Sequence, residues 1–233
     1  MTRTIFVTGT DTGVGKTLVA CALLRRLRAD GRRVCGFKPV ATGCVRTADG
    51  LRNDDALALL AASGSDADYA DVNPYAFEPP IAPHLAAQAA GRRISIPALD
   101  AAHARLARDH DVIVVEGAGG WAVPLDEAWT LGEWAAEREW PVVLVVGMRL
   151  GCINHALLSA QAIARRTRLA GWVANALPPT MAALEENVEA LTARLTAPLL
   201  AVIGSPDSAV AALDLAPLKD LLKPVPTGTP ALR

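Results

Sequence analysis

The stretch Gly9-Thr10-Asp11-Thr12-Gly13-Val14-Gly15-Lys16-Thr17 decides the fold of this chain. It follows a strand-like run at residues 4–7 and opens an amphipathic helix predicted over residues 17–29. Glycines let successive backbone N–H groups turn towards one anion, and the helix N-terminus adds its partial positive charge. A strand, a glycine-rich loop ending in Gly-Lys-Thr and a helix together predict a phosphate-binding P-loop.

The side chains of this loop suggest separate roles towards a nucleotide. Lys16 is placed to reach the outer phosphates, and Thr17 offers its hydroxyl to Mg²⁺. The strict motif has four residues between the first glycine and Gly-Lys. Here five residues lie between Gly9 and Gly15, so the loop is a variant. A glycine-rich turn with a chance Gly-Lys-Thr is the alternative, which the flanking strand and helix disfavour.

A second strand end supports the phosphate-loop interpretation. Residues 111–116 form a predicted buried strand that ends in Glu116 and runs into Gly117-Ala118-Gly119-Gly120. A carboxylate at the C-terminal end of a buried strand, followed by glycines, suits a metal ligand beside a P-loop. The alternative is a strand-ending carboxylate before a flexible turn.

Short runs rich in valine and isoleucine alternate with helical stretches along the rest of the chain. The predicted strands cover residues 4–7, 34–38, 111–116, 141–146, 171–175 and 198–203. The predicted helices cover residues 17–29, 54–62, 83–90, 97–108, 130–139, 152–165 and 181–195. Strands that are apolar on both faces, separated by helices, predict an α/β P-loop NTPase fold: a mostly parallel, doubly wound sheet with helices on both faces. We expect one such domain over residues 1–216 and a loosely ordered, proline-rich tail over residues 217–233.

Composition and charge argue against several classes of function. The 233 residues are 52% hydrophobic. The 23 basic and 24 acidic residues give a net charge of −1, and this balance disfavours a broad nucleic-acid surface. The longest strongly apolar run, residues 140–148, is too short to cross a bilayer, and the N-terminus has no signal-peptide pattern. The four scattered cysteines fit reduced thiols rather than a disulfide framework or zinc site. We therefore expect a cytoplasmic protein without a nucleic-acid or membrane partner.

The chain resembles the dethiobiotin synthetase family of the biotin pathway along most of its length. The P-loop alone is generic, whereas the Lys-Pro-Val, Glu-Gly-Ala-Gly-Gly and Gly-Cys-Ile-Asn-His segments, in this order, are far more specific. The matching segments are Val7-Thr8-Gly9-Thr10-Asp11-Thr12, Val14-Gly15-Lys16-Thr17, Lys38-Pro39-Val40, Leu51-Arg52-Asn53, Asp55-Ala56-Leu57, Val115-Glu116-Gly117-Ala118-Gly119-Gly120-Trp121, Leu150-Gly151-Cys152-Ile153-Asn154-His155-Ala156 and Ala170-Gly171-Trp172-Val173-Ala174-Asn175.

The resemblance implies a cyclo-ligase that needs Mg²⁺ and uses ATP as co-substrate. Such an enzyme takes 7,8-diaminononanoate and CO₂ and turns one amine into a carbamate. ATP phosphorylates the carbamate to a carbamic-phosphoric anhydride, and the other amine closes the ureido ring. The products are dethiobiotin, ADP and phosphate. The resemblance further implies a homodimer whose substrate site is shared across the interface.

The resemblance also assigns site residues. The implied catalytic residues are Lys38, Lys16 and Thr12, and the implied metal ligands are Thr17, Asp55 and Glu116. The implied substrate contacts are Thr12, Lys38 and Thr42 at the amine or carbamate end, and Gly151, Cys152, Ile153 and Asn154 at the distal carboxylate. The implied nucleotide contacts are Gly13, Val14, Gly15, Lys16, Thr17, Leu18, Asp55, Glu116, Gly117, Ala118, Gly119 and Asn175, of which Asn175 matches the position that contacts the base.

The residues alone leave other interpretations open for several of these positions. Lys38 also fits a solvated lysine at a strand end. Asp54 and Asp55 together fit an N-cap and a first-turn acid of the following helix. Asn175 also fits a turn-forming asparagine before two prolines. Cys152 is better explained as a small buried hydrophobe than as a nucleophile.

The sequence departs from the family pattern after the last predicted strand, and other functions compete. Residues 203–207 replace the Ile-Pro stretch that packs on adenine in many relatives, so strict preference for ATP is not expected.

One competing class of function is an ATPase switch of the MinD/ParA type, but its signature lysine is replaced here by Asp11. Another small P-loop kinase or ligase is a further alternative. Related amidotransferases and cobyrinate-type synthetases usually carry an extra glutaminase domain, for which this chain has no room.

Overall fold

The centre of the fold is a six-stranded parallel sheet, which a computed structural model describes within residues 2–223. Its strands are β1 (Arg3–Gly9), β2 (Val34–Phe37), β3 (Val112–Glu116), β4 (Val142–Met148), β5 (Leu169–Ala176) and β6 (Leu199–Ile203). Their spatial order is β6-β5-β4-β1-β3-β2, and every neighbouring pair is parallel. The predicted parallel sheet is confirmed.

Helices cover both faces of this sheet. The longer ones are α1 (Lys16–Ala29), α2 (Asp54–Ser63), α3 (Pro83–Ala89), α4 (Ile96–Asp109), α5 (Leu131–Glu137), α6 (Cys152–Ala164) and α7 (Leu184–Thr192). Side chains of a strand alternate between faces, so Ile5 and Val7 of β1 enter one buried cluster and Phe6 enters the other. Within the described residues, no helix has the length and hydrophobicity needed to cross a bilayer.

Local sequence signals explain where several helices begin. Asn53, Ser95 and Thr130 each accept a hydrogen bond from a backbone N–H in the first turn of α2, α4 and α5, respectively. Helix α1 begins differently, because its N-cap is Gly15, which has no side chain to cap it. The free N–H groups at the start of α1 are therefore available to an anion.

Two regions differ from the sequence-based expectation. Between β2 and α2, the chain forms a hairpin of Val45–Thr47 and Gly50–Arg52, which is too short to give a periodic pattern. Helical turns at Ala216–Leu218 and Lys219–Leu222 bury Leu218 and Leu222 in the core. Residues 217–223 thus pack against the domain, contrary to the tail prediction. Residues 224–233 of the predicted tail lie outside the described residues.

His103 of α4 sits in an aromatic cluster against β1. Its ring centroid lies 4.7 Å from that of Trp140, and its Nε2 lies 2.9 Å from Thr4 Oγ1. Burial lowers the pKa of His103 from 6.5 to about 4, with Asp100 raising it and Arg138 lowering it by charge. The neutral imidazole is therefore the form that fits the fold.

Acidification should destabilise the protein through His103. Because its pKa is lower in the folded than in the unfolded chain, protonation favours unfolding as the pH falls below 6.5, and the loss levels off near the folded pKa. Between pH 7.5 and 5, wild type should lose about 1–2 kcal/mol more unfolding free energy than His103→Gln. Urea unfolding of both proteins across this range measures the difference. If the unfolding free energies of the two proteins fell equally with pH, the prediction would be contradicted.

Candidate active site

The polar residues singled out in the sequence meet at the carboxyl edge of the sheet. Strand β1 leads into the P-loop, Lys38 follows β2, and Glu116 ends β3. Because β2 pairs with β3 and β3 with β1, the three chain segments arrive side by side. A cavity of about 820 Å³ opens there, and Lys16, Thr17 and Asp55 also line it.

Four side chains in this cavity form one hydrogen-bonded cluster. The Lys38 Nζ atom lies 2.7 Å from Asp55 Oδ2 and 2.6 Å from Glu116 Oε1. The Thr17 hydroxyl lies 2.9 Å from Asp55 Oδ1 and 2.9 Å from the same Glu116 oxygen. These hydrogen bonds join the first turns of α1 and α2 to the C-terminal ends of β2 and β3. The solvated-lysine interpretation of Lys38 is therefore wrong.

Burial and charge shift the pKa values of this cluster. Glu116 is fully buried and Lys38 is 4% exposed. Burial raises the pKa of Glu116 even though Lys38 opposes the shift. For Lys38, burial lowers the pKa, but the carboxylates of Glu116 and Asp55 outweigh it and leave the pKa raised. Burial and the nearby Lys38 charge lower the pKa of Lys16 to about 8. A lowered pKa means that the Lys16 ammonium is destabilised by its surroundings, and phosphate anions bound beside it would stabilise its charge.

The oxygen atoms of the cluster fit a magnesium ion. Mg²⁺ is usually held by one or two carboxylates together with water and substrate phosphates. Thr17, Asp55 and Glu116 offer such hard oxygen donors, and Glu116 Oε2 is buried without a hydrogen-bond partner among the described residues. Within residues 2–223, no group of three His, Cys, Asp or Glu side chains is arranged to bind a metal, so water and nucleotide oxygens would complete the shell.

The P-loop backbone is shaped by glycine and braced by Asn175. Gly15 has a φ of 93°, and a Cβ there would lie only 2.2 Å from Asn175 Nδ2. The Asn175 amide donates to the carbonyl oxygen of Val14 at 2.9 Å. Asn175 lies within β5 and is buried, so it is not a turn-forming residue. It connects the end of this strand to the phosphate loop.

The cavity brings together most of the predicted site residues. Those that line it are Thr12, Gly13, Gly15, Lys16, Thr17, Lys38, Thr42, Asp55, Glu116, Ala118 and Gly119. The remaining predicted nucleotide residues, Val14, Leu18, Gly117 and Asn175, are not among its lining residues. The same holds for Gly151, Cys152, Ile153 and Asn154, which lie at the start of α6. Cys152 is buried, as the small-hydrophobe interpretation predicts.

Part of the cavity wall was missed by the sequence analysis. Residues 80–83 and 122–124 line the cavity, together with Ala41 and Asn53. Most of these residues are apolar or proline, so no chemical pattern marks them. Asn53 belongs to the matched segment Leu51-Arg52-Asn53 and is the N-cap of α2, so the interpretation of Asp54 as that N-cap is wrong.

Comparisons with known proteins identify close relatives. A family model described as an AAA domain matches residues 3–211. The ATP-dependent dethiobiotin synthetase of Cellvibrio japonicus is 51% identical over 224 residues, which cover 94% of this chain and 98% of that protein. The enzyme of the same name from Pseudomonas aeruginosa is 51% identical over 220 residues, covering 91% and 96%.

Solved structures support the fold alone. The septum site-determining protein MinD of Pyrococcus horikoshii, in complex with Mg-ADP, has a TM-score of 0.52 and 17% identity, covering 91% of this chain and 87% of that one. The cell division protein FtsY of Thermotoga maritima has a TM-score of 0.52 and 18% identity, covering 95% and 68%. Both likenesses agree with the predicted P-loop NTPase fold.

Proposed function

The chain belongs to the family of ATP-dependent dethiobiotin synthetases, ligases of biotin biosynthesis, and we propose that it closes the ureido ring of dethiobiotin from 7,8-diaminononanoate and CO₂. The observation that carries the proposal is the cluster of Thr17, Lys38, Asp55 and Glu116 beside the P-loop. This cluster brings an ammonium group beside the oxygen atoms that we propose as metal ligands, at the place where a nucleotide's outer phosphates would lie. ATP is the co-substrate, and Mg²⁺ is the proposed metal.

The proposed reaction has three steps. One amine of the substrate adds to CO₂ and loses a proton, which gives a carbamate. A carbamate oxygen attacks the γ-phosphorus of ATP, so that ADP leaves and a carbamic-phosphoric anhydride forms. The second amine then attacks the carbonyl carbon and loses a proton, and phosphate leaves as the five-membered ring closes.

The residues of the cavity suit the second step, in which two anions must meet. The ammonium of Lys38 is fixed by two carboxylates and is placed to hold negative charge on the carbamate and the transferring phosphoryl group. Lys16 and the N–H groups of the P-loop hold the phosphates, while Thr12 and Thr42 orient the amine or carbamate end. Mg²⁺ bound by Thr17, Asp55 and Glu116 would neutralise further phosphate charge.

A dependence test separates this proposal from the competing functions. Purified protein with ATP and Mg²⁺ should release ADP only when both diaminononanoate and bicarbonate are present, and dethiobiotin should appear in equal amount by mass spectrometry. An ATPase switch would hydrolyse ATP without either compound. Turnover that ignores the diamine would therefore refute the proposal.

We also propose that the protein is a homodimer with shared substrate sites. The start of α6 carries the predicted carboxylate contacts, yet those residues do not line the cavity of their own chain. Leu150, directly before this segment, is 98% exposed, and Leu158 on α6 is 59% exposed. An interface there would cover these apolar side chains.

The proposed cytoplasmic location is supported by the four free, buried cysteines.

Other nucleoside triphosphates should support some turnover. Residues 204–207 are exposed and depart from the adenine-packing pattern, whereas the P-loop binds phosphates common to all nucleotides. Steady-state assays with ATP, GTP and CTP should give kcat/KM values within about a thousandfold of one another. A larger preference for ATP, about 4 kcal/mol of base recognition or more, would contradict this prediction.

A further inference from the structure

The P-loop, which would bind phosphate anions, itself contains a negatively charged side chain. Asp11 lies in the loop, and its Oδ1 atom accepts the backbone N–H of Thr12 at 2.7 Å. Its carbonyl oxygen accepts a hydrogen bond from Lys16 Nζ at 2.9 Å. Asp11 is therefore held by the same loop that would bind the phosphates. Left alone, its carboxylate would repel them.

Arg149 supplies the opposite charge from another strand. Its Nη2 atom pairs with Asp11 Oδ2, and it follows β4, the sheet neighbour of β1. The carbonyl oxygen of Arg149 accepts the N–H of Cys152 at 2.9 Å, which closes the turn before α6. Arg149 is not among the residues that line the active-site cavity. Asp11 does not line the cavity either, but it is hydrogen-bonded to Thr12 and Lys16, which do, so the contact of Arg149 with the site passes through Asp11.

We infer that Arg149 is a positioning residue for the nucleotide: it neutralises Asp11 and fixes the P-loop against the segment that opens α6. This inference deepens the proposed function, because the same segment carries the proposed carboxylate contacts of the partner's site. Both side chains are about half exposed, so the pair is a moderate electrostatic contact rather than a buried one. Its effect should therefore be on nucleotide affinity rather than on chemistry.

A double-mutant cycle on nucleotide binding tests the inference. Binding of a non-hydrolysable ATP analogue with Mg²⁺ is measured by calorimetry, without diaminononanoate. Arg149→Ala should raise the dissociation constant about five- to tenfold, because it leaves Asp11 unneutralised. Arg149→Lys should stay within about twofold of wild type, since it keeps the charge. Asp11→Asn keeps an oxygen for Thr12 and removes the repulsion, so it should not weaken binding.

The decisive comparison is Arg149→Ala in the Asp11→Asn background, where it should change the dissociation constant by less than about twofold. The effect of Arg149→Ala alone should also shrink in high salt, as expected for a half-exposed charge. A purely structural role would show neither behaviour. Arg165→Ala, an exposed position at the C-terminal end of α6, is the matched control and should bind normally.

Each alternative outcome has a definite meaning. If Arg149→Ala weakened nucleotide binding equally in the wild-type and Asp11→Asn backgrounds, Arg149 would act on the nucleotide directly. If Arg149→Ala left binding unchanged, the ion pair would have no effect on nucleotide affinity. Either result overturns the inference. A wild-type protein that binds the analogue but makes no dethiobiotin would refute the proposed function and leave the inference standing. A wild-type protein that does not bind the analogue would overturn both.

Discussion

Lys38→Ala should lower kcat by about two to three orders of magnitude, the usual cost of removing one donor that stabilises charge in the transition state. Asp55 and Glu116 hold the Lys38 ammonium at the edge of the cavity. The ammonium therefore does not have to move into position during phosphoryl transfer. Nucleotide affinity should change little, because Lys16 and the P-loop N–H groups hold the phosphates. Steady-state and single-turnover assays measure the two effects separately.

The same substitution needs a control for stability. Removing the ammonium leaves Glu116 buried without its cationic partner, which favours unfolding. Circular dichroism and urea unfolding should therefore confirm that the assayed variant is folded. Lys219→Ala, at an exposed lysine far along the chain, is the matched control and should keep normal kcat. Near-normal kcat in folded Lys38→Ala would show that the role of Lys38 is wrongly assigned.

The sheet and the phosphate loop were predictable because their causes are local. Strands β3 and β4 are buried on both faces, so each is a nearly continuous apolar run. The P-loop needs glycine where the backbone has positive φ, and this requirement at Gly13 and Gly15 is visible in the sequence. These signals require no knowledge of distant residues.

The missing parts of the site depend on contacts between distant residues. Asp11 and Arg149 are separated by 138 positions, and neither has a neighbour that marks the pair. The cluster around Lys38 joins residues from four parts of the chain, so the sequence suggested its members without showing that Lys38 bridges two carboxylates. The apolar wall at residues 80–83 had no chemical pattern at all.

Shared sites predict that two inactive variants will restore activity when mixed. Lys16→Ala removes a phosphate contact, and Asn154→Asp places a negative charge beside the proposed site of the substrate carboxylate. Each homodimer should be nearly inactive. Asn154 is an exposed residue in the first turn of α6, so its substitution should not disturb the core. A helix N-terminus attracts anions, and an added aspartate there competes with the substrate.

In a mixed dimer with shared sites, one site carries both lesions and the other carries neither. Random exchange at equal amounts makes half of the dimers mixed, so activity should return to about a quarter of wild type. Subunit exchange is verified with differently tagged chains, and a chain carrying both substitutions, mixed with Lys16→Ala, is the inactive control. If each site is built within one chain, every site in the mixture keeps a lesion. No activity would then return after verified exchange, and the shared site would be refuted.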